Sequence, residues 1–267
     1  MISMATVTSH PAFEGTSSHG IAAERFLRNL PLFRDLPDAA VRNLALSCRS
    51  AKFPAGRRMF AEGTPATALY LVRNGWAKLL RASHNGSTLL LDAAGPNTIL
   101  GETAMLDGGA HLATAVAVED IDALVIAGNV LVSLLGRYPE FWRAFSKQIA
   151  SHLREATDRQ IQMAAPVEER IACVFERFAQ RLGVRSGESI RIPRMFTRQE
   201  IAEMVGTTTE TAIRTLSRWK KHGILISDDI SFVILKPQAL ADLAARAGWH
   251  PLSAAAAHGP ESCMAVA

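Results

Sequence analysis

The sequence predicts an α+β chain in three parts: an antiparallel β-roll, one long dimerisation helix and a C-terminal winged helix-turn-helix. Three observations carry this. Between Ser50 and Ile126 short β-prone runs are punctuated by Gly56, Gly63, Gly75, Gly86, Gly95 and Gly101, the spacing of many short strands in a roll or barrel. Beyond Gly128 the apolar period becomes helical, and from Pro139 to Ala164 no Gly or Pro interrupts it. Residues 196–226, FTRQEIAEMVGTTTETAIRTLSRWKKHGILI, then read as two capped helices joined at a glycine.

In chain order, residues 1–24 are rich in Ser, Thr, Gly and Ala without periodicity, and are expected to be a disordered extension. Residues 25–137 form the sensor domain. It opens on ERFLRNLPLFRDLPDAAVRNLALSC, two short amphipathic helices broken by Pro31 and Pro37. In the strand-rich part, Asn74-Gly75 and Asn85-Gly86 are hairpin signals, because both residue types tolerate positive φ. Residues 138–165 are the dimerisation helix: Ile149, Leu153, Ala156, Gln160 and Met163 recur at alternating spacings of 4 and 3, the seam of a coiled coil. Residues 166–248 are the winged helix-turn-helix. Pro166 starts a helix with Ile171, Val174, Phe178 and Leu182 on one face and Gly183 as its stop. Residues 249–267 are expected to be a disordered tail.

Within the helix-turn-helix, Thr197 and Glu200 have capping-box spacing, and Ile201, Met204 and Val205 face inward. Gly206 stands where a left-handed residue must end the first helix, and small Ala202 lets the helices approach. Thr208 caps the second helix, whose buried stripe is Ala212, Leu216 and Trp219. Its outward face carries Thr209, Glu210, Ile213, Arg214 and Ser217. Arginine pairs bidentately with guanine and glutamate accepts from cytosine, so Glu210 and Arg214 are candidate base readers. Arg218, Lys220 and Lys221, nearer the helix end, are candidate phosphate contacts, and Thr197, Arg198 and Thr208 are further candidate DNA-binding residues. After Gly223, ILISDDISFVIL reads as a wing hairpin turning at Asp228-Asp229.

Composition excludes other classes. The formal net charge of +4 is mild, but residues 194–222 hold six basic and three acidic residues. The most apolar stretch, Ala123 to Gly136, is too short and too interrupted to span a membrane, and residues 1–20 lack the charges and apolar run of a signal peptide, so the cytoplasm is the expected compartment and no membrane partner is expected. Cys48, Cys173 and Cys263 lack the spacing of a disulfide framework, a zinc site or an iron–sulfur site. No nucleophile elbow, Walker loop or paired-carboxylate motif points to an enzyme.

Three segments, in order, resemble the cyclic AMP receptor protein/FNR family of bacterial transcription regulators. FPAGRRMFAEGTPATALYLVRNGWAKLL is similar to its cyclic-nucleotide-binding β-roll, ILGETAMLDGGAHLATAVAVED lies where its phosphate-binding cassette would be, and TRQEIAEMVGTTTETAIRTLSRW is similar to its helix-turn-helix. The resemblance implies a homodimer that binds double-stranded DNA at an inverted repeat and acts with RNA polymerase. It also marks departures. Cyclic-AMP-binding members follow Gly-Glu with Arg-Ser, whereas here Gly101 and Glu102 are followed by Leu112 and Ala113. Losing a charge-assisted donor to a buried phosphate argues against cyclic AMP. The N-terminal cysteine group that holds FNR's iron–sulfur cluster is missing too, which leaves haem-dependent sensors and members without a ligand as the implied relatives. Haem needs an axial residue such as His. His10, His19, His84, His111 and His152 are available; His111 in the cassette and His152 beside the seam are the candidates. In the reading helix Thr209 stands where cyclic-AMP-type members have Arg, and Ile213 where FNR-type members have Ser. The resemblance therefore implies a TTG or TGA half-site core with an open flanking base. The other class carried is a nucleotide-like sensor acting through protein partners.

Overall fold

The computed structural model describes residues 16–82, 88–193, 196–228 and 231–250, with side chains from residue 20. The chain starts with α1 (Thr16–Asn29), a 3-10 turn at Pro31–Phe33 and α2 (Asp38–Ser47). The extension expected to be disordered through residue 24 is thus helical from Thr16. Ala23 and Leu27 are fully buried in a core shared with Leu44, Leu124 and Phe141, and this distant packing outweighs the poor local propensity of Ser and Gly.

Eight strands follow: β1 (Arg49–Phe53), β2 (Arg58–Phe60), β3 (Ala68–Asn74), β4 (Ala77–Ala82), β5 (Thr88–Ala94), β6 (Ile99–Leu100), β7 (Thr114–Ala117) and β8 (Ile121–Ala127). A short helix, α3 (Glu102–Asp107), interrupts them. They form two four-stranded antiparallel sheets, ordered β1-β8-β3-β6 and β2-β7-β4-β5. Small and β-branched residues such as Val72, Ala77, Ala115 and Ala123 fill the space between them. The hairpin expected at Asn74-Gly75 is not one. Gly75 has φ +84°, but it carries the chain from β3 in one sheet to β4 in the other, and a Cβ there would lie 2.4 Å from the Asp120 carbonyl. Asn85-Gly86 lies outside the described residues, although β4 and β5 on either side pair antiparallel through Ala82 and Thr88.

Next come α4 (Gly128–Arg137) and the long α5 (Pro139–Gln162). Phe141 and Phe145 anchor the start of α5 in the N-terminal core, with Phe141 stacked on Phe33 at 5.5 Å. The C-terminal part holds α6 (Val167–Leu182), β9 (Val184–Ser186), β10 (Ser189–Pro193), α7 (Arg198–Met204), α8 (Thr209–Lys221), β11 (Leu225–Ser227), β12 (Ser231–Ile234) and α9 (Pro237–Arg246). Gly183 does end α6, but with an ordinary φ of −75°. A Cβ there would meet the Ala179 carbonyl at 2.2 Å, so glycine is required for space and not for a left-handed turn. Trp249, expected in the disordered tail, is buried in the core of the C-terminal part, and 251–267 lie outside the described residues.

The two parts share an interface. Leu90 and Ala93 of β5 belong to the same core cluster as Ile201 and Trp219, and Lys78 of β4 pairs with Glu200 of α7 at 2.6 Å. Beside them Asp92 meets Arg181 at 2.9 Å and Arg159 at 3.5 Å, and Arg181 also pairs with Glu155. The carboxylate of β5 thereby ties the β-roll to α5 and α6.

Candidate nucleic-acid interface and ligand cleft

The turn between α7 and α8 is built from local chemistry. Thr197 Oγ1 accepts from the Glu200 amide at 3.1 Å, and the Thr197 amide donates to Glu200 Oε2 at 2.8 Å, so two amides that a helix start leaves without partners are satisfied. Gly206 has φ +62°, and the Thr207 amide folds back to the Ala202 carbonyl at 2.9 Å. Thr208 Oγ1 accepts from the Thr211 amide at 3.2 Å and caps α8. Ala212, Leu216 and Trp219 point inward. The Trp219 indole donates to Glu168 on α6 at 2.7 Å, and its ring meets Phe175 edge-on at 6.0 Å.

This anchoring leaves one face of α8 open. Thr209, Glu210, Ile213, Arg214, Ser217, Arg218 and Lys220 are all exposed, as are Thr197, Arg198 and Thr208 at the starts of the two helices. Arg214 and Glu210 pair at 3.4 Å with more than two thirds of each side chain accessible, so both heads can exchange each other for a base edge. Arg218 is committed to Glu168 at 2.7 Å, which fixes its guanidinium near the back of the helix. Leu225–Ser227 and Ser231–Ile234 form the antiparallel wing, where Asp228 accepts from the Ser231 amide at 2.5 Å; Asp229 lies outside the described residues.

On α5 the predicted seam residues Leu153, Ala156 and Gln160 are exposed, and Ile149 is half-buried against the sensor core. Met163 follows the helix end; it is exposed, and its methyl would come within 2.6 Å of a Cβ at Gly206. Trp142, 46% exposed and seven residues before Ile149, continues the same apolar stripe towards the helix start. Its position in the heptad was the available signal.

Gly101, Glu102, His111, Leu112, Ala113 and His152 all line one cleft of about 1150 Å³ between the β-roll and α5, which reaches α6 and α7 at its inner end. Gly101 takes φ +91° to start α3, and Glu102 accepts from His152 Nδ1 across the cleft at 3.0 Å. His111 is buried and stacked face-on against Phe60 at 4.0 Å. Burial holds its imidazole below the ordinary range, against the pull of Glu102. Haem needs one ring nitrogen free to bind iron: among the described residues the His111 ring makes no hydrogen bond, and His152 commits only Nδ1, to Glu102, so both histidines meet that requirement. Cys48 and Cys173 are buried free thiols pushed up to about 12 and about 11 by desolvation, which makes them poor nucleophiles. Among the described residues no group of His, Cys, Asp and Glu is arranged to hold a metal, and no helix is long and apolar enough to cross a membrane.

The hydrogen bond to Glu102 raises the His152 pKa above its ordinary 6.5, outweighing burial. A raised histidine stabilises the fold fully below its unfolded value of about 6.5, and that contribution is lost as pH rises through the folded value. Alkaline pH should therefore loosen the contact between α3 and α5. In an NMR titration the His152 ring protons should report a midpoint above 6.5 that falls back in Glu102→Gln; an unchanged midpoint in the variant would remove Glu102 as its cause.

Residues 50–138 match the family model of the cyclic nucleotide-binding domain, and residues 169–243 that of the Crp-like helix-turn-helix domain. The cyclic AMP receptor protein of Thermus thermophilus is 31% identical over 201 residues, covering 74% of this chain and 89% of that protein. The CRP-like cAMP-activated global transcriptional regulator of Mycobacterium tuberculosis is 26% identical over 82% of this chain and 98% of its own length. Among solved structures, FixK2 from Bradyrhizobium japonicum superposes with a TM-score of 0.65 at 22% identity, covering 73% of this chain and 96% of that one, a likeness of fold.

Proposed function

Since this chain belongs to the cyclic AMP receptor protein/FNR family of transcription regulators, we propose that it works as a homodimer reading an inverted repeat through α8. The half-site centres lie about one helical turn apart, ~34 Å. The observation that carries the reading is the exposed Glu210–Arg214 pair on a helix whose opposite face is locked into the core by Ala212, Leu216 and Trp219. Exposed Leu153, Ala156 and Gln160 supply the seam through which two copies join, RNA polymerase is the downstream partner, and the cleft between β-roll and α5 is the effector site. Cyclic AMP does not suit that site: Leu112 and Ala113 occupy the positions where cyclic-AMP-type members hold the phosphate, and neither side chain donates a hydrogen bond.

The test is Arg214→Ala. Discrimination at one G·C pair of the half-site should fall by about 1–3 kcal/mol while binding to random DNA changes little. Fluorescence anisotropy on matched and mismatched operators measures both. An equal loss on specific and random DNA would make Arg214 a phosphate contact and withdraw its reading role.

A further inference from the structure

The inner end of the cleft holds a buried guanidinium that Asp92 and Glu155 answer only at longer range, without a hydrogen bond or ion pair. Arg177, on α6, is 5% exposed and sits where the cleft adjoins a second cavity of about 180 Å³ bordered by Gln162 and Arg170. Arg181 is satisfied by Asp92 and Glu155, and Arg159 by Asp92 and the Leu91 carbonyl. Arg177 makes neither a hydrogen bond nor an ion pair among the described residues. Three guanidiniums thus face two carboxylates, a surplus of one positive charge. Burial pulls Arg177 down to about 10, with Asp92 holding it up, so it is a cation at neutral pH. Three buried polar atoms beside these cavities lack a partner, Glu155 Oε1, Gln162 Nε2 and Arg170 Nε. A buried unpaired charge is among the costliest features a fold can keep. A ligand that brings the counter-charge removes that cost.

We propose that Arg177 anchors an anion subsite for the phosphate group of a small effector, seated against the DNA-binding part and not in the sensor's cassette. The proposal rests on reading the cleft as the effector site, and not on how α8 reads DNA. A phosphate suits the donors: its oxygens can take the guanidinium fork of Arg177 and the Gln162 amide together. A ligand hydroxyl would answer Glu155 Oε1. Leu79, Leu91 and Leu112 offer an apolar wall for the remainder of the molecule. Such a ligand would bridge α5, α6 and the β-roll, so its affinity would differ between arrangements of the two parts. That difference is what lets a ligand shift an equilibrium.

The experiment is thermal unfolding of the full chain with sodium pyrophosphate, against sodium chloride at matched ionic strength. Pyrophosphate should raise the Tm saturably in the natural protein and equally in Arg57→Met, an exposed control. In Arg177→Met the half-saturating concentration should rise by roughly tenfold or more, the loss of one charge-assisted contact. Without pyrophosphate, Arg177→Met should melt no lower than the natural protein, because two guanidiniums then face two carboxylates. The proposal is overturned by a response in Arg177→Met equal to the natural one, or by no response beyond chloride. A lower Tm of ligand-free Arg177→Met would also overturn it, making Arg177 a structural counter-ion of Asp92. Arg214→Ala should keep the full response; losing it there would place the anion on the DNA-reading face. Failure of the operator experiment with this response intact would sink the DNA reading alone.

Discussion

Trp219→Ala should lose about 3–5 kcal/mol of stability, the cost of emptying a large buried aromatic site. The ring is fully buried between α8 and α6, meets Phe175 edge-on, and donates to Glu168, the carboxylate that also holds Arg218. A domain is stable by only about 5–15 kcal/mol, so this is a large share of the total. Because Trp219 serves the core of the DNA-binding part, operator binding should disappear while the separate core around Phe141 and Leu27 still melts cooperatively. Trp219→Phe keeps most of the bulk and removes the hydrogen bond, so its loss should be nearer 1–3 kcal/mol. Denaturant unfolding monitored by circular dichroism measures both variants. A cost below about 1 kcal/mol for Trp219→Ala would mean that the helix-turn-helix is not packed as described.

Asp92→Ala should be comparably damaging, through charge. Burial alone would raise the Asp92 pKa, but Arg181, Arg159 and Arg177, with the Ala93 amide, outweigh it and hold the carboxyl well below the ordinary range. Removing it leaves three guanidiniums facing Glu155 alone, and breaking a buried pair from one side costs about 3–5 kcal/mol. The depressed pKa fixes the pH dependence. The contribution is complete above the unfolded value of about 4 and is lost as pH falls from there through the folded value. Acid unfolding followed by tryptophan fluorescence should therefore be steeper below pH 4 in the natural protein than in Asp92→Ala. Equal slopes would show that Asp92 does not tie the sensor to α6.

What the sequence made legible was whatever depends on neighbours along the chain. Thr197 and Glu200, Gly206 and Thr208 each act within four residues, and each appears in the structure in the role its spacing predicted. The swap of Leu112 and Ala113 into the cassette was equally local. Features that depend on distant partners were not legible. Asn74-Gly75 has hairpin chemistry, yet packing between the two sheets sends the chain across instead. Residues 16–24 have weak helix propensity, and only burial of Ala23 against elements elsewhere in the chain makes them helical. The cluster joins Asp92 to arginines 67 and 89 positions further on, and no periodicity encodes such a meeting. Arg177 was hidden for the same reason: in sequence it is one more basic residue in an amphipathic helix, and only the fold shows that it is buried with no hydrogen bond or ion pair.

As proposed, two copies of α8 read a symmetric site together. Selection of binding sequences from a random double-stranded DNA library by the full-length protein, followed by sequencing, tests it most directly. Enrichment of an inverted repeat is expected, with half-site centres about one helical turn apart, ~34 Å, and a G·C pair in each half. Enrichment of a single asymmetric site, or no enrichment over the starting library, would contradict it.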